Sequence, residues 1–301
     1  IYNIFMTICA LSTGIGASGV AIIRISGSET GFLIKSLTNK ALPKPREATL
    51  LEFNNINNSR PIDQGIVLWF PGPKSYTGED MAELHVHGSK AVVKELQETL
   101  LSTKKCRLAE PGEFTKLAFL NGKINLLQAE AIGDLIAAET EIQMEQAQNI
   151  IKGKSFLKFN ELRENLIKVL SKIEAKIDFP DEDLPSNVLD DVKRDVSNIE
   201  NEIKKILTSY EVGERIRTGY KIAIVGPPNS GKSTLMNYLS KRNVAIVSDV
   251  AGTTRDVLQT SLNFYGYPVI ISDTAGIRDS KDVIEKEGIK LAFEKAEEAD
   301  L

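Results

Sequence analysis

The chain has 301 residues, of which 42% are hydrophobic and 26% are charged, and its formal net charge is −4. This length favours two or three domains, and the composition is that of a globular protein. The mildly acidic balance argues against a general nucleic-acid-binding surface, so any RNA contact has to depend on a local patch or a partner.

The cysteine content and the hydropathy restrict the setting of the protein. Two cysteines, Cys9 and Cys106, provide no disulfide framework and indicate a reducing, cytoplasmic environment. No apolar run approaches the roughly 20 residues that a membrane-spanning helix requires. We therefore expect a cytoplasmic protein with no membrane partner.

The first segment, residues 1–121, has the pattern of an α+β domain. Residues 20–25 and 66–70 are short β-branched and aromatic runs bounded by Gly or Pro, which is typical of buried strands. Two further stretches, 70–80 and 110–115, gather turn-forming Gly and Pro around polar and aromatic side chains. Such loops often carry function, although rigid surface turns explain the composition equally well.

One stretch of this segment alternates between apolar and polar residues. The alternation predicts a strand with Leu84 and Val86 on one face and Glu83, His85 and His87 on the other. Two histidines on one side of a strand are potential metal ligands, but no third ligand lies within sequence reach. A polar pocket wall or a surface position is therefore favoured.

The next segment, residues 122–216, is predicted to be helical, because apolar residues recur there every three or four positions. Three such runs predict three long amphipathic helices that need packing partners. A break at 179–185 contains two prolines, and Ser186 or Asn187 can cap the helix after it. The three runs are Leu127, Ala131, Leu135, Ala138, Ile142; Phe159, Leu162, Leu166, Val169, Ile173, Ile177; and Leu189, Val192, Val196, Ile199, Ile203, Ile206, Tyr210.

The last segment, residues 217–301, opens with a G-x-x-x-x-G-K-S sequence at 226–233. A β-rich run precedes it and a helical pattern follows, which is the context of a phosphate-binding loop. Backbone N–H groups and the positive helix end attract phosphate oxygens. In such a loop Lys232 bridges the β- and γ-phosphates, and Ser233 holds Mg²⁺.

Two later stretches indicate a nucleotide switch. Gly252–Asp256 follows at the distance at which a switch threonine reaches the Mg²⁺, and Asp273–Gly276 ends an apolar run. An aspartate at that place reaches the metal through water, and the glycine N–H meets the γ-phosphate. The order of the three elements resembles the GTPase branch of the P-loop proteins. The Asn-Lys-x-Asp guanine motif of that branch is absent, so we expect a truncated GTPase domain. Because the third predicted helix leads directly into the strand before the loop, we expect this domain to be inserted into a helical domain that resumes later.

The whole sequence resembles the bacterial and organellar tRNA-modification GTPases of the MnmE (TrmE) type, along all 301 positions. The GTPase motifs alone also resemble ribosome-assembly GTPases, which lack the first segment. The motifs that carry the resemblance are Gly19–Gly27, Gly72–Asp80, Pro111–Thr115, Phe119–Lys123, Gln128–Ala131 and Ile177–Pro180.

The resemblance implies an N-terminal domain that dimerises and binds 5-formyl- or methylene-tetrahydrofolate. Carried over by position, Arg24, Glu83 and Lys123 would contact the folate. With a flavin-dependent partner of the MnmG type, the family adds an aminomethyl-type group to C5 of the wobble uridine in certain tRNAs. The family's C-terminal Cys-x-Gly-Lys motif is outside this sequence, and Cys106 does not replace it.

The resemblance also assigns the nucleotide site. Ile277 stands where many GTPases have a water-orienting glutamine, and the family points to Glu285 for that role. Mg²⁺ would be held by Ser233 and Thr254. K⁺ would be held by Asn229 and by switch-loop oxygens of Ser248, Val250 and Thr253, with Ser248 at a position where the family has threonine. The residues that would surround GTP are Asn229, Ser230, Gly231, Lys232, Ser233, Thr234, Ser248, Thr253, Thr254, Asp273, Thr274, Ala275 and Gly276.

A second interpretation remains open from the sequence. The protein can be a regulatory or ribosome-assembly GTPase switch whose first domain is a protein-binding platform without one-carbon chemistry. Binding of a reduced folate distinguishes the two.

Overall fold

The structure, a computed structural model, divides into two compact units that meet at residues 129 and 130. The predicted nucleotide-binding segment and all of the predicted helical segment except residues 122–129 fall in the second unit. The structure describes residues 6–178, 188–225, 230–242, 245–246, 259–273, 297 and 299–301.

The first unit is built on a six-stranded sheet with the strand order β3-β4-β5-β2-β1-β6. All neighbours are antiparallel except β1 and β6, which are parallel. Its strands are β1 (Thr7–Leu11), β2 (Ser18–Ser26), β3 (Thr49–Asn54), β4 (Pro61–Phe70), β5 (Met81–Gly88) and β6 (Cys106–Leu108). Its helices are α1 (Thr30–Thr38), α2 (Lys90–Ser102), α3 (Glu113–Leu120) and the first part of α4 (Leu126–Ala137).

The helices α1 and α2 contribute to the core on one face of this sheet. Leu84 and Val86 of β5 are buried there with Leu33 of α1 and Leu96 of α2. Glu83, His85 and His87 are more exposed, as the alternation predicts for the opposite face. The three predicted strands and the α+β character of this segment are confirmed.

The two cysteines lie side by side in this core. The Sγ atoms of Cys9 on β1 and Cys106 on β6 are 3.8 Å apart, and both thiols are buried and free. The hydrogen bond with Cys106, together with burial, raises the pKa of the Cys9 thiol well above its usual value. Cys9 is therefore a packed, protonated side chain and not a nucleophile.

The prediction of one long helix through Ile142 is wrong. Helix α4 ends at Ala137, and α5 (Glu141–Ile151) begins after Thr140. The Thr140 side chain accepts from the Gln143 N–H, while the Gln143 side chain accepts from the Thr140 N–H. This capping box starts a new helix, although the apolar spacing continues across the break.

Two long helices form an antiparallel hairpin, α6 (Lys154–Asp178) and α7 (Val188–Thr218). Leu162 and Val169 of α6 pack with Ile199 of α7, and Lys172 pairs with Asp195 at 2.7 Å. Both predicted helices are confirmed, but only some of the apolar side chains in each run are buried in the hairpin. In α7 every second position of the apolar seam is buried or half-buried, and in α6 Leu162, Val169 and Ile173 are. The remaining seam positions are exposed: Phe159, Leu166, Ile177, Leu189, Val196, Ile203 and Tyr210.

The rest of the second unit contains a four-stranded sheet with the order β7-β10-β9-β8. β7 and β10 are parallel, and the other pairs are antiparallel. The small core formed by Met236, Leu262, Val269 and Ile271 joins this sheet to α8. The elements are β7 (Tyr220–Ile224), α8 (Lys232–Arg242), β8 (Ala245–Ile246), β9 (Gln259–Phe264) and β10 (Tyr267–Asp273).

None of the described helices combines sufficient length with sufficient apolar character to cross a bilayer. The long helices α6 and α7 carry many charged side chains.

The packing of β5 predicts a stability difference between two leucines of the same sheet. Leu84→Ala should lower the free energy of unfolding by about 2–5 kcal/mol, because it leaves a cavity in a fully buried site. The matched change Leu50→Ala, on a side chain that is 63% exposed, should cost less than about 1 kcal/mol. Urea unfolding followed by the fluorescence of Trp69, the single tryptophan, reports on this core. Equal midpoints for the two variants would contradict the assignment of the buried face.

Candidate functional sites

An arginine–glutamate pair lies on the side of the six-stranded sheet away from the helical core. The β2–β5 register places Arg24 opposite Glu83. Arg24 donates from Nε at 3.1 Å and from Nη2 at 2.8 Å, both to Glu83 Oε1. The side chains are 29% and 17% exposed, so the pair is accessible from one side. The structure thus brings together two of the three residues predicted to contact a folate.

Two aromatic rings flank the arginine. The guanidinium carbon of Arg24 lies 5.8 Å from the ring centre of Tyr76 and 5.5 Å from that of Phe114. These distances are within the range of cation–π attraction. The hydroxyl groups of Tyr76 and Thr115 are 2.9 Å apart and join the two loops. Loops 70–80 and 110–115 therefore meet over the ion pair.

Buried hydroxyl and amide contacts hold loop 70–80 in place. Thr77 is fully buried, and its hydroxyl lies 2.7 Å from that of Ser26 on β2. The Asn121 side chain donates to the Thr77 carbonyl at 2.7 Å. Gly78 has a φ of +84°, a conformation that glycine adopts at little cost. These contacts fix the backbone that presents Tyr76.

A second ion pair holds loop 110–115. Arg107 Nη1 donates to Glu113 Oε2 at 2.8 Å, and the Glu110 N–H donates to the same oxygen at 2.8 Å. The hydrogen bond from Arg107 lowers the pKa of Glu113 below its usual value. Gly112 precedes α3 with a φ of +76°. Phe114 and Thr115 follow directly, so this turn determines where the aromatic ring lies.

Lys123, the third residue predicted to contact a folate, lies at the same loop. Its Nζ donates to the Pro73 carbonyl at 2.9 Å. The loop therefore connects Lys123 to the surroundings of Arg24 and Glu83. The family resemblance assigns these three residues, whereas no pattern in the sequence marks Tyr76 and Phe114 as neighbours of the arginine.

The two histidines of β5 have different partners. His85 Nε2 lies 3.5 Å from Glu83 Oε2. His87 Nδ1 lies 2.8 Å from Asp63 Oδ1 and belongs to a separate polar pair. The part of the chain that the structure describes contains no group of three His, Cys, Asp or Glu side chains placed to hold a metal. The favoured interpretation of His85 as a polar wall residue agrees with its half-buried position.

The candidate nucleotide site lies at one edge of the four-stranded sheet. Strand β7 ends at Ile224, and α8 begins at Lys232. Strand β10 runs parallel to β7 and ends at Asp273, whose partner in the register is Ile224. Both carboxyl ends therefore point to the same edge, where α/β sheets bind their ligands. Gly231, just before the helix, has a φ of +91°.

The structure describes only part of the predicted nucleotide site. Ser230, Gly231, Lys232 and Thr234 lie at the start of α8, and the backbones of Ser233 and Asp273 are placed with them. The other predicted residues lie outside the described ranges: Asn229, Ser248, Val250, Thr253, Thr254, Thr274, Ala275, Gly276 and Glu285.

The fold and the sites define a class of multidomain α/β protein, in which an α+β domain precedes long helices and a smaller, partly parallel sheet. Two models of known protein families match this chain. The model of the GTP-binding protein TrmE N-terminus matches residues 7–123, and the model of the MnmE helical domain matches residues 126–299. The chain belongs to the MnmE (TrmE) family.

Several curated proteins named tRNA modification GTPase MnmE are similar over 98% of this chain. The protein of Pelagibacter ubique is 65% identical over 296 residues, which is 67% of its own length. That of Rickettsia bellii is 47% identical over 66% of its length, and that of Parvibaculum lavamentivorans is 44% identical over 67%. The chain thus spans about two thirds of these relatives.

The Arg107–Glu113 pair predicts a pH-dependent contribution to stability. Glu113→Gln should lower the free energy of unfolding by about 1–2 kcal/mol near neutral pH, because a charge-assisted hydrogen bond is lost. The pKa of Glu113 is lowered in the folded state, so this contribution is present above the unfolded-state pKa and is lost as the pH falls through the folded-state pKa. The difference should therefore shrink below about pH 4.

Urea titrations of the wild type and the variant across this pH range measure the difference. Glu110→Gln, at the exposed carboxylate three residues earlier, is the matched control and should change stability by less than about 0.5 kcal/mol. A wild-type advantage that is the same at every pH would contradict the assigned role of the ionised carboxylate.

Proposed function

We propose that the chain forms part of a GTP-hydrolysing tRNA-modification protein. With a flavin-dependent partner of the MnmG type, it adds an aminomethyl-type group to C5 of the wobble uridine in certain tRNAs. The one-carbon unit comes from a reduced folate, 5-formyl- or methylene-tetrahydrofolate. Membership of the MnmE family and the names of the relatives, tRNA modification GTPase MnmE, support this function.

The observation that carries the GTPase proposal is the parallel pairing of β7 and β10. The two strands end side by side at Ile224 and Asp273, and in the sequence the G-x-x-x-x-G-K-S stretch follows the first strand while Asp-Thr-Ala-Gly begins at the last residue of the second, which supports the proposal. A phosphate-binding loop and a metal-reaching aspartate have to occupy such neighbouring positions. The start of α8 at Lys232 supplies the helix N-terminus that attracts phosphate.

The proposed roles follow from that arrangement. Lys232 neutralises the β- and γ-phosphates, and the Ser233 hydroxyl binds Mg²⁺ together with Thr254. Asp273 reaches the same Mg²⁺ through water. Glu285 orients the attacking water, since Ile277 offers no hydrogen bond for that purpose.

We propose that K⁺ supplies the positive charge that an arginine finger gives in other GTPases. Its ligands are the Asn229 side chain and oxygens of Ser248, Val250 and Thr253. These residues lie outside the described ranges, so the proposal depends on the sequence and on the family.

The phosphate-binding assignment predicts a loss of nucleotide affinity in one variant. Lys232→Ala in the full-length protein should weaken GTP binding by about 100-fold or more, because charged contacts to two phosphates disappear. Fluorescent GTP titrations measure the affinity, and thermal unfolding verifies the fold. Lys205→Ala, which removes an exposed charge from α7, is the matched control. Equal affinity in the two variants would overturn the assignment.

The chemistry of the first site fits a reduced folate. A pterin ring offers N–H donors to a carboxylate, and the glutamate tail offers carboxylates to Arg or Lys. Glu83 supplies carboxylate oxygens as acceptors, and Lys123 supplies an amino group at the neighbouring loop. Tyr76 and Phe114 supply flat apolar surfaces beside Arg24, on which a planar ring can stack.

The folate assignment predicts that the ion pair is needed for ligand affinity. Arg24→Ala and Glu83→Ala should each weaken binding of 5-formyl-tetrahydrofolate by at least about tenfold, or about 1.4 kcal/mol. Calorimetry measures the affinity. Arg60→Ala, which breaks the separate pair with Glu95, is the control and should leave it unchanged.

Equal affinities in all three variants would place the folate elsewhere. No folate binding by the wild type, together with intact GTP binding, would favour the regulatory or ribosome-assembly switch.

The half-exposed seams of α6 and α7 support the proposed domain plan. Exposed apolar positions recur every seven residues at Leu189, Val196, Ile203 and Tyr210, which is the spacing for a further packed helix. We propose domains at 1–121, 122–216 and 217–301, with the GTPase domain inserted into a helical domain that resumes later. The N-terminal domain forms a homodimer, and the adjacent free thiols of Cys9 and Cys106 support a cytoplasmic location.

A further inference from the structure

His85 is the polar neighbour of Glu83 that the proposed folate contacts do not include. Arg24 occupies Glu83 Oε1 with both of its hydrogen bonds. The other oxygen, Oε2, faces His85 Nε2 at 3.5 Å. Within the described residues this buried nitrogen has no hydrogen-bond partner. A buried nitrogen that lacks a partner is costly, so its place beside the free oxygen of a ligand-binding carboxylate needs a reason.

The surroundings of His85 leave Glu83 as its nearest charged neighbour. Across the sheet, His85 is opposite Ile22 on β2 and Ile66 on β4, which are both apolar. The charged groups on this side of the three strands are Glu83 on β5, Arg24 on β2, Glu79 in the loop before β5, which accepts from Ser26 on β2, and the pair of Asp63 at the start of β4 with His87 at the end of β5. His87 Nδ1 lies 2.8 Å from Asp63 Oδ1, so these two side chains pair with each other.

The two states of the imidazole have opposite effects on Glu83. A neutral ring leaves the lone pairs of Oε2 to N–H donors of a ligand. A protonated ring becomes a cationic donor, and a shift of about 0.7 Å brings it to the usual hydrogen-bond distance from Oε2. It then competes with the ligand for the same oxygen and repels the ligand's own donors.

We propose that His85 is a positioning residue that makes ligand binding at Glu83 pH-dependent. Neutral His85 leaves Glu83 Oε2 available to the pterin donors of a reduced folate, whereas protonated His85 occupies that oxygen and weakens binding. This inference rests on the proposed folate function of the same site. Histidine is the side chain whose protonation changes near neutral pH, so binding weakens as the solution becomes acidic.

The chain offers a matched pair of variants, because it contains only two histidines, two positions apart on one strand. The affinity of the wild type for 5-formyl-tetrahydrofolate should fall by about fivefold or more between about pH 7.5 and about pH 5.5. His87→Gln should show the same fall. His85→Gln keeps a polar side chain that does not titrate, and its affinity should change by less than about twofold over the range.

Calorimetric titration of all three proteins at both pH values measures these profiles, and circular dichroism melts at each pH verify folding. Any protonation of the ligand itself affects all three proteins equally. The difference between their pH profiles therefore reports the contribution of each histidine. A wild-type profile retained in His85→Gln, or a flat profile in His87→Gln instead, would overturn the proposal. If the wild type binds no folate at either pH, both the proposed folate function and the role of His85 are overturned. If the wild type binds folate and His85→Gln has the same pH profile, only the role of His85 is overturned.

Discussion

The pairing register of β2 and β5 determines which side chains reach the open face of the first sheet. Because side chains alternate along a strand, a slip of β2 by one residue would send Arg24 towards the core, bring its apolar neighbours to the surface and separate it from Glu83. Leu84 and Ile23, fully buried on the other face, prevent that slip. The packing of the hydrophobic core therefore determines where Arg24 and Glu83 lie. The loops that carry Tyr76 and Phe114 then place aromatic rings beside this pair.

The sequence predicts this face well because the signal is local. Alternation from Glu83 to His87 is visible in five residues, and it determines the two faces without knowledge of the partner strand. The contacts of Tyr76 and Phe114 with Arg24 join loops far apart in sequence, and no local pattern contains them. The apolar spacing does not reveal the break between α4 and α5, because the spacing continues through it. The capping box of Thr140 and Gln143 starts the new helix there.

The nucleotide half shows the same division between local and long-range information. Motif order predicts a phosphate loop followed by an aspartate, but the sequence does not say which strands are neighbours. The structure adds that β10 lies directly beside β7, in parallel, although β8 and β9 intervene in the chain. The hairpin of β9 and β10 explains this order, since β10 folds back through Tyr265 and Gly266 and leaves its far edge for β7. The switch residues are assigned by sequence and family alone.

The joint between α7 and β7 is a single residue. Gly219 closes the helix with an N–H bond to the Arg215 carbonyl and has a φ of +90°, which favours glycine, and an added Cβ would lie in tight contact, 3.1 Å from the Ile270 side chain. The 31 residues of α7 extend about 46 Å from this point. Only one residue separates α7 from β7. If β7 tilts by about 5°, a helix that follows it displaces its far end by about 4 Å. The length of α7 therefore amplifies any rotation at Gly219 into a larger displacement at Val188.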